Sequence, residues 1–247
     1  PLIDRFQSDV NPNIDIRIDI VPWSNRIQKT MGAVAAGAPP DTAYVNVDEF
    51  TTYVVQDVLE PLDDYIKADG VDLDDWLPGP RSGMDWEGKI YELPHLFAFR
   101  VAYYNKTIFE ASGLDPEVPP TTWAEHTEML TAIMAAKASG SHDAFGGTFP
   151  ALAGPVGIWN PYFYQAGGSL LTADGKSGYN SPAGLEAAEK ILEVADNFAD
   201  PADRGSAGRD TRARFGQEAF GYHINDELSV IRLMENAVDR GTGRTVR

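Results

Sequence analysis

The sequence predicts an α/β protein in two halves joined by a short extended segment. Three observations carry that prediction. Ile14, Ile16, Ile18 and Ile20 alternate with Asp15, Arg17 and Asp19, the period of a half-buried strand, and a helical pattern follows them. A second round of strand and helix patterns begins near Lys106. Between the two rounds, Trp86–Pro94 and Phe97–Lys106 read as short strands with a bend. Alternation of strand and helix at this spacing implies βαβ units and a largely parallel sheet. The boundaries that follow are a first lobe over residues 1–96, a crossing over 97–106 and a second lobe over 107–247.

In the first half, Ser24 suits an N-cap, with Ile27, Met31, Val34 and Ala35 following at helical spacing. Gly37 and Pro39-Pro40 stop that helix. Thr42–Val45 predicts a second strand, and Asp48 a cap for a helix carrying Phe50, Tyr53, Val54 and Val58. Leu62–Ile66 reads as a further short helix. Glu87-Gly88 predicts a tight turn, because glycine adopts a positive φ at little cost. Pro94 then interrupts the ladder.

In the second half, Lys106–Ala111 is predicted helical and closed by Gly113. Thr122 and Glu125 form the spacing of a capping box, opening a helix to about Gly140. Phe145–Phe149 reads as a strand and Gly154–Ala166 as a helix. Ser181-Pro182 supplies a cap and a first helical residue, with Leu185, Ala188, Leu192 and Ala195 as the expected buried face. Residues 200–210 read as a polar loop, Thr211–Gln217 as a helix, Ala219–His223 as a strand, and a last helix follows Asp226.

Composition narrows the function. The 247 residues carry a formal charge of −17, which opposes nucleic acid or an anionic membrane as a partner. An acidic surface that promotes solubility accounts for it. No cysteine is present, so disulfides, thiolate metal sites and cysteine nucleophiles are excluded. No run approaches the roughly 20 apolar residues of a membrane span. Pro1 leads straight into Phe6-Gln7-Ser8-Asp9, like the middle of an element, which predicts a fragment or a processed chain.

The four histidines, His95, His126, His142 and His223, stand too far apart for a metal set. Phosphate-loop, dinucleotide and nucleophile-elbow patterns are absent from the sequence. Acidic pairs abound (Asp48-Glu49, Asp63-Asp64, Asp74-Asp75), and a glycosidase uses two carboxyls across a sugar; adjacent acids on loops are also simply solvated. Trp159, Tyr162, Phe163 and Tyr164 cluster beside Asn160 and Gln165. Rings beside amides suit a sugar, with its C–H face on the ring and its hydroxyls on the polar groups. The same rings also suit the core face of an amphipathic helix.

Seven segments occur in a telling order: Ala36–Asp41, Pro61–Tyr65, Trp86–Pro94, Tyr103–Lys106, Leu114–Pro116, Pro119–Trp123 and Gly167–Leu170. The chain thereby resembles the extracellular solute-binding proteins of ABC importers, specifically the family 1 sugar-binding group of the maltose-binding type. The resemblance implies a two-lobed α/β periplasmic-binding-protein fold of type II, here incomplete at both ends. It implies an extracytoplasmic receptor, periplasmic or extracellular and with a lipid anchor left open, that closes on a mono- or oligosaccharide and delivers it to permease subunits. It implies a monomer that needs no cofactor or metal and performs no chemistry.

Carried over position by position, the resemblance makes Asn46 and Asp48 hydroxyl-binding groups and places Phe97 and Phe99 where the chain crosses the cleft. It makes Trp159, Tyr162 and Tyr164 a stacking surface of the second lobe, and His223, Asn225 and Asp226 a further contact region. Arg100 would serve the cleft or a hinge ion pair. Ala219-Phe220-Gly221-Tyr222 departs from the usual small-residue and Met pattern of the family. Two other classes stay open: a glycosidase or lyase using a carboxylate pair, and a receptor for a non-sugar solute such as a polyamine.

Overall fold

The structure is a computed structural model that describes residues 2–22, 25–95, 100–149, 155–205, 211 and 214–226. Its contacts divide the chain into two compact units, Pro1–Phe97 and Ala98–Arg247. The first unit holds helices α1 (Leu2–Asp9), α2 (Arg26–Ala35), α3 (Val47–Val54), α4 (Asp63–Asp69) and α5 (Pro78–Arg81), then a hairpin of β1 (Asp85–Trp86) and β2 (Lys89–Ile90). The second holds β3 (Val101–Tyr104), α6 (Lys106–Ala111), α7 (Trp123–Ala138), α8 (Pro155–Gln165), α9 (Pro182–Asn197) and β4 (Tyr222–Asp226).

In the first unit α3 supplies most of the core, burying Phe50, Tyr53 and Val54 against Ile66 and Met84. Glu49, only 6% exposed, is held by Arg26, whose Nε donates to its Oε2 at 2.9 Å. That pair ties α2 to α3. The hairpin turns through Glu87 and Gly88 at φ 51° and 79°, the two positive angles that suit the strand twist. Leu62 N–H donates to the Ile90 carbonyl at 2.7 Å and fastens the hairpin to the start of α4.

Two expected strands of the first unit are not formed among the described residues. Ile14–Ile20 finds no ladder partner, and Ile14, Ile18 and Ile20 stand 44%, 63% and 90% exposed. Alternation marks a strand only when a neighbouring strand takes up its N–H and C=O groups, and among the described residues none does. Thr42–Val45 is likewise irregular, so the βαβ reading fails for the described part of this unit. The cap of α3 is Asn46, with Asp48 in the first turn, and neither side chain closes a capping hydrogen bond. Ser24 lies outside the described residues, and Asn25 occupies the cap position of α2.

In the second unit β3 and β4 pair antiparallel, with Val101 opposite Asp226, Tyr103 opposite His223 and Tyr104 opposite Tyr222. Parallel bridges extend this pair at Phe145↔Phe220 and Gly147↔Ala199. The parallel expectation is therefore met only in short contacts beside an antiparallel pair. Helix α7 starts on the expected box: Glu125 N–H donates to Thr122 Oγ1 at 3.2 Å, and Thr122 N–H donates to Glu125 Oε2 at 3.1 Å. Ile108, Phe109, Leu130, Ile133, Val194 and Phe198 form the main core.

Helix α9 buries a face shifted from the one expected. Of the expected positions Ala195 is buried, while Leu185 and Leu192 are 63% and 57% exposed, and Gly184, Ala187, Ile191 and Val194 face inward. Positions 184, 187, 191 and 194 have helical spacing too: Ala187 and Ile191 pack on Tyr162 and Phe163 of α8, while Gly184 leaves room for the Tyr179 carbonyl. Lys190 is also buried, its ammonium donating to Glu193 Oε2 at 2.7 Å and to the Trp123 carbonyl at 3.3 Å.

His126 lies beside this lysine, and burial together with the Lys190 charge lowers its pKa from 6.5 to about 4. The ring is thus neutral in the fold, whereas the unfolded chain takes up a proton below pH 6.5. Stability from this group is complete above pH 6.5 and is lost as pH falls toward about 4, by on the order of 3 kcal/mol. Denaturant titrations at stepped pH should show this slope, and His126→Asn should flatten it; an unchanged slope in a folded variant would contradict the assignment.

Candidate functional site

The second unit brings several expected residues to one place. The register of β3 and β4 sets Asp226 opposite Val101, so the last residues of β4 lie next to Arg100. Arg100 also reaches α8, since a Cβ added at Gly157 would stand 3.9 Å from its Nη2. Helix α8 packs on β4 as well as on α9. The start of β3, the end of β4 and the first turns of α8 therefore form one junction. Within α8, Pro161 lacks the N–H that would meet the Gly157 carbonyl, so a backbone acceptor is released on the same turn.

The rings of α8 divide between inside and outside. Phe163 is fully buried and Tyr162 is 3% exposed, both packed on Ala187 and Ile191. Burial drives the Tyr162 hydroxyl pKa upward, so it stays protonated. Tyr164, one helical step on, is 51% exposed. Trp159 is half-buried, edge-on to Tyr179 at 6.2 Å, and its indole nitrogen is buried with no partner among the described residues. Tyr179 Oη donates to Asn160 Oδ1 at 2.9 Å and fixes that amide. Tyr179 is a site residue the sequence reading missed. It belongs to a loop with no periodicity to announce it.

Two expected contacts are corrected by this geometry. Tyr162 turns away from the junction, because α8 presents positions 159, 162 and 163 to the side packed on α9. His223 is 3% exposed, with Nδ1 2.6 Å from Thr148 Oγ1 and its ring 5.6 Å from that of Phe215. Its ring braces the strands from within. Nearby, Arg214 joins Asp200 and Asp203 and lies over the Phe220 ring at 4.7 Å. Burial raises the Asp203 pKa against the opposing pull of Arg214. At Asp200 burial also pushes upward, but the Ala202 N–H and Arg214 outweigh it and the pKa falls. Phe97, Phe99 and the side chains of Asn225 and Asp226 lie outside the described residues.

In the first unit, Asn46 is half-buried at the start of α3 and Asp48 is exposed. Tyr44 stands nearby, edge-on to His95 at 6.2 Å. Tyr44 and His95 were likewise not singled out, since only folding brings residues so far apart in sequence together. The acidic pairs have structural partners: Glu49 holds Arg26, Asp63 Oδ2 accepts from Ile90 N–H at 3.1 Å, and Asp74 pairs with Arg81. Among the described residues no group of His and acidic side chains is arranged to hold a metal ion. No described helix is long and apolar enough to cross a membrane.

Comparison with known proteins gives this geometry its class. The model of the bacterial extracellular solute-binding protein family matches residues 1–222, and the chain belongs to that family. A binding protein of Brucella abortus (strain 2308) is 30% identical over 234 residues, covering 92% of this chain and 54% of its own. The chain thus spans about half the length of that relative. An ABC transporter solute-binding protein from Thermotoga lettingae TMO, solved with α-D-tagatose, superposes with a TM-score of 0.82 at 24% identity, over 98% of this chain and 61% of that one. UgpB from Mycobacterium tuberculosis, solved with glycerophosphocholine, gives 0.80 at 20% identity, over 96% and 59%. These likenesses show the fold, the α/β fold of the two-lobed periplasmic solute-binding proteins.

The division of the α8 rings has a measurable consequence. Tyr162→Ala should cost about 3–5 kcal/mol of stability, as for other large buried aromatics, and Tyr164→Ala less than about 0.5 kcal/mol. Urea unfolding of both variants checks this; equal losses would contradict the assignment of one ring to the core and the other to the surface.

Proposed function

We propose that this chain belongs to the substrate-binding component of an ABC importer, taking up a neutral carbohydrate outside the cytoplasm and presenting it to membrane permease subunits. The observation that carries the reading is the β3–β4–α8 junction, where Trp159 sets a ring beside the fixed amide of Asn160, with Tyr164 exposed one turn further along α8. Rings and amides match the two kinds of surface on a sugar. Asn46 and Asp48 of the first unit are the proposed hydroxyl partners, with Phe97, Phe99, Asn225 and Asp226 completing the contacts. The cycle is binding without chemistry: ligand favours a closed arrangement in which both units contact it. The receptor acts as a monomer without a cofactor, and a lipid anchor is one way of holding it at the membrane.

The T. lettingae protein solved with tagatose supports a sugar as ligand. The alternatives of catalysis and of polyamine binding lose support, since one carboxylate of each acidic pair named above, Glu49, Asp63 and Asp74, holds a structural partner. One observation favours a second solute. Arg100 lies beside the first turns of α8, where a helix N-terminus and a guanidinium both attract an anion, and UgpB is solved with a phosphodiester. A phosphorylated polyol is the corresponding ligand.

Titration calorimetry separates these readings. Saturable heat with D-tagatose, ribitol or maltose is expected, and Tyr164→Ala should weaken it by about 1–3 kcal/mol. Heat with glycerol 3-phosphate alone, abolished in Arg100→Gln, selects the second reading. Heat only with spermidine would overturn both.

A further inference from the structure

We propose that the second unit carries another small-molecule pocket, away from the β3–β4–α8 junction, which takes a neutral hydroxylated ring compound of monosaccharide or cyclitol size. The pocket opens between the start of α7, the last turns of α8 and the beginning of β4, with a volume of about 500 Å³. Thr122, Trp123, His126, Tyr162, Gln165 and Tyr222 line it. It uses the opposite ends of the elements that build the junction. Tyr222 begins β4 and Asp226 ends it, about 13 Å apart at the rise of a strand. Gln165 likewise ends α8, whereas Gly157 lies in its first turns.

His126 is the group that asks for a ligand. It is 6% exposed, and its Nε2 has no hydrogen-bond partner among the described residues. A buried polar atom left unpaired is costly, and a ligand hydroxyl in this pocket would relieve it. The other groups complement that need. Tyr162 and Tyr222 remain protonated donors, because burial raises both pKa values, that of Tyr222 to about 12. Gln165 Oε1 accepts from the Trp123 indole at 2.6 Å, which leaves its amide N–H groups to donate elsewhere. Two ring pairs form the walls: Trp123 with Tyr162 at 6.0 Å, and His126 with Tyr222 at 4.8 Å.

Charge around the pocket selects a neutral occupant. Glu125 already takes the position an anion would hold at the start of α7, accepting from Thr121 N–H at 2.7 Å and Thr122 N–H at 3.1 Å. Glu186 also lines the pocket, so a second negative charge is opposed. Lys190, whose ammonium sits 3.3 Å from the Trp123 carbonyl, is paired with Glu193 and lends the pocket no net charge of its own. Hydroxyls for the tyrosines, amide and imidazole, and a flat C–H face for the rings, remain as the matching chemistry.

The test is fluorine NMR of the chain labelled with 5-fluorotryptophan, titrated with myo-inositol and with D-glucose. The five tryptophans give resolvable lines, and those of Trp123 and Trp159 are assigned from their Phe variants. The Trp123 line should shift saturably, following its own isotherm. Tyr222→Phe, which removes one oxygen, should weaken that isotherm about tenfold. Tyr164→Ala should leave it unchanged, whatever happens at Trp159, so failure of this pocket and failure of the junction as a sugar site are read separately. A Trp123 line that stays put with both probes while the spectrum remains dispersed overturns the proposal. So does a Trp123 shift that follows the Trp159 isotherm, or one that Tyr222→Phe leaves intact.

Discussion

Phe163 lies where α8 meets α9 and where the chain leaves α8 through Gly167 and Gly168. Its side chain has no solvent exposure, and a Cβ at Gly168 would come within 2.3 Å of its ring. That contact fixes the rotation of α8 about its own axis. At about 100° per residue, one buried ring decides the direction of every other ring on the helix. Tyr162 is carried inward beside it, Trp159 and Asn160 to the boundary, and Tyr164 outward. A helix turned by one residue would hide the tyrosine that faces solvent and expose core.

The other long-range constraint is the pairing of β3 with β4, which joins residues 101–104 to residues 222–226. It brings Arg100 next to the end of β4 and, through α8, next to Gly157. Behind the junction, Thr148 with His223 and Arg214 with Asp200 and Asp203 fill the interior with paired polar groups. A binding surface built on elements held in this way is preorganised, which reduces the ordering cost of taking up a ligand.

How much of this was legible in the sequence follows the range of each interaction. The Thr122–Glu125 capping box, the bounds of α6 and the Glu87-Gly88 turn rest on contacts within four residues, and each forms as read. Ile14–Ile20 carries a strand pattern, but pairing is decided by distant residues and none among those described supplies it. The buried face of α9 was misplaced because Leu185 and Leu192 are apolar and regularly spaced. Packing against α8 instead took up Ala187 and Ile191, and the Tyr179 carbonyl lies against Gly184. Tyr162 and His223 were carried over as ligand contacts from the resemblance, and a matching position does not state which way the element faces in this chain. The order of motifs along the chain, by contrast, pointed to the family that residues 1–222 match.

The central proposal is that the chain takes up a sugar by closing and leaves it chemically unchanged. Small-angle X-ray scattering with and without D-tagatose, followed by analysis of the recovered sugar, tests both halves on one sample. The account predicts a smaller radius of gyration at saturation and a sugar recovered intact. An unchanged radius at saturation, or a sugar returned as product, would contradict it.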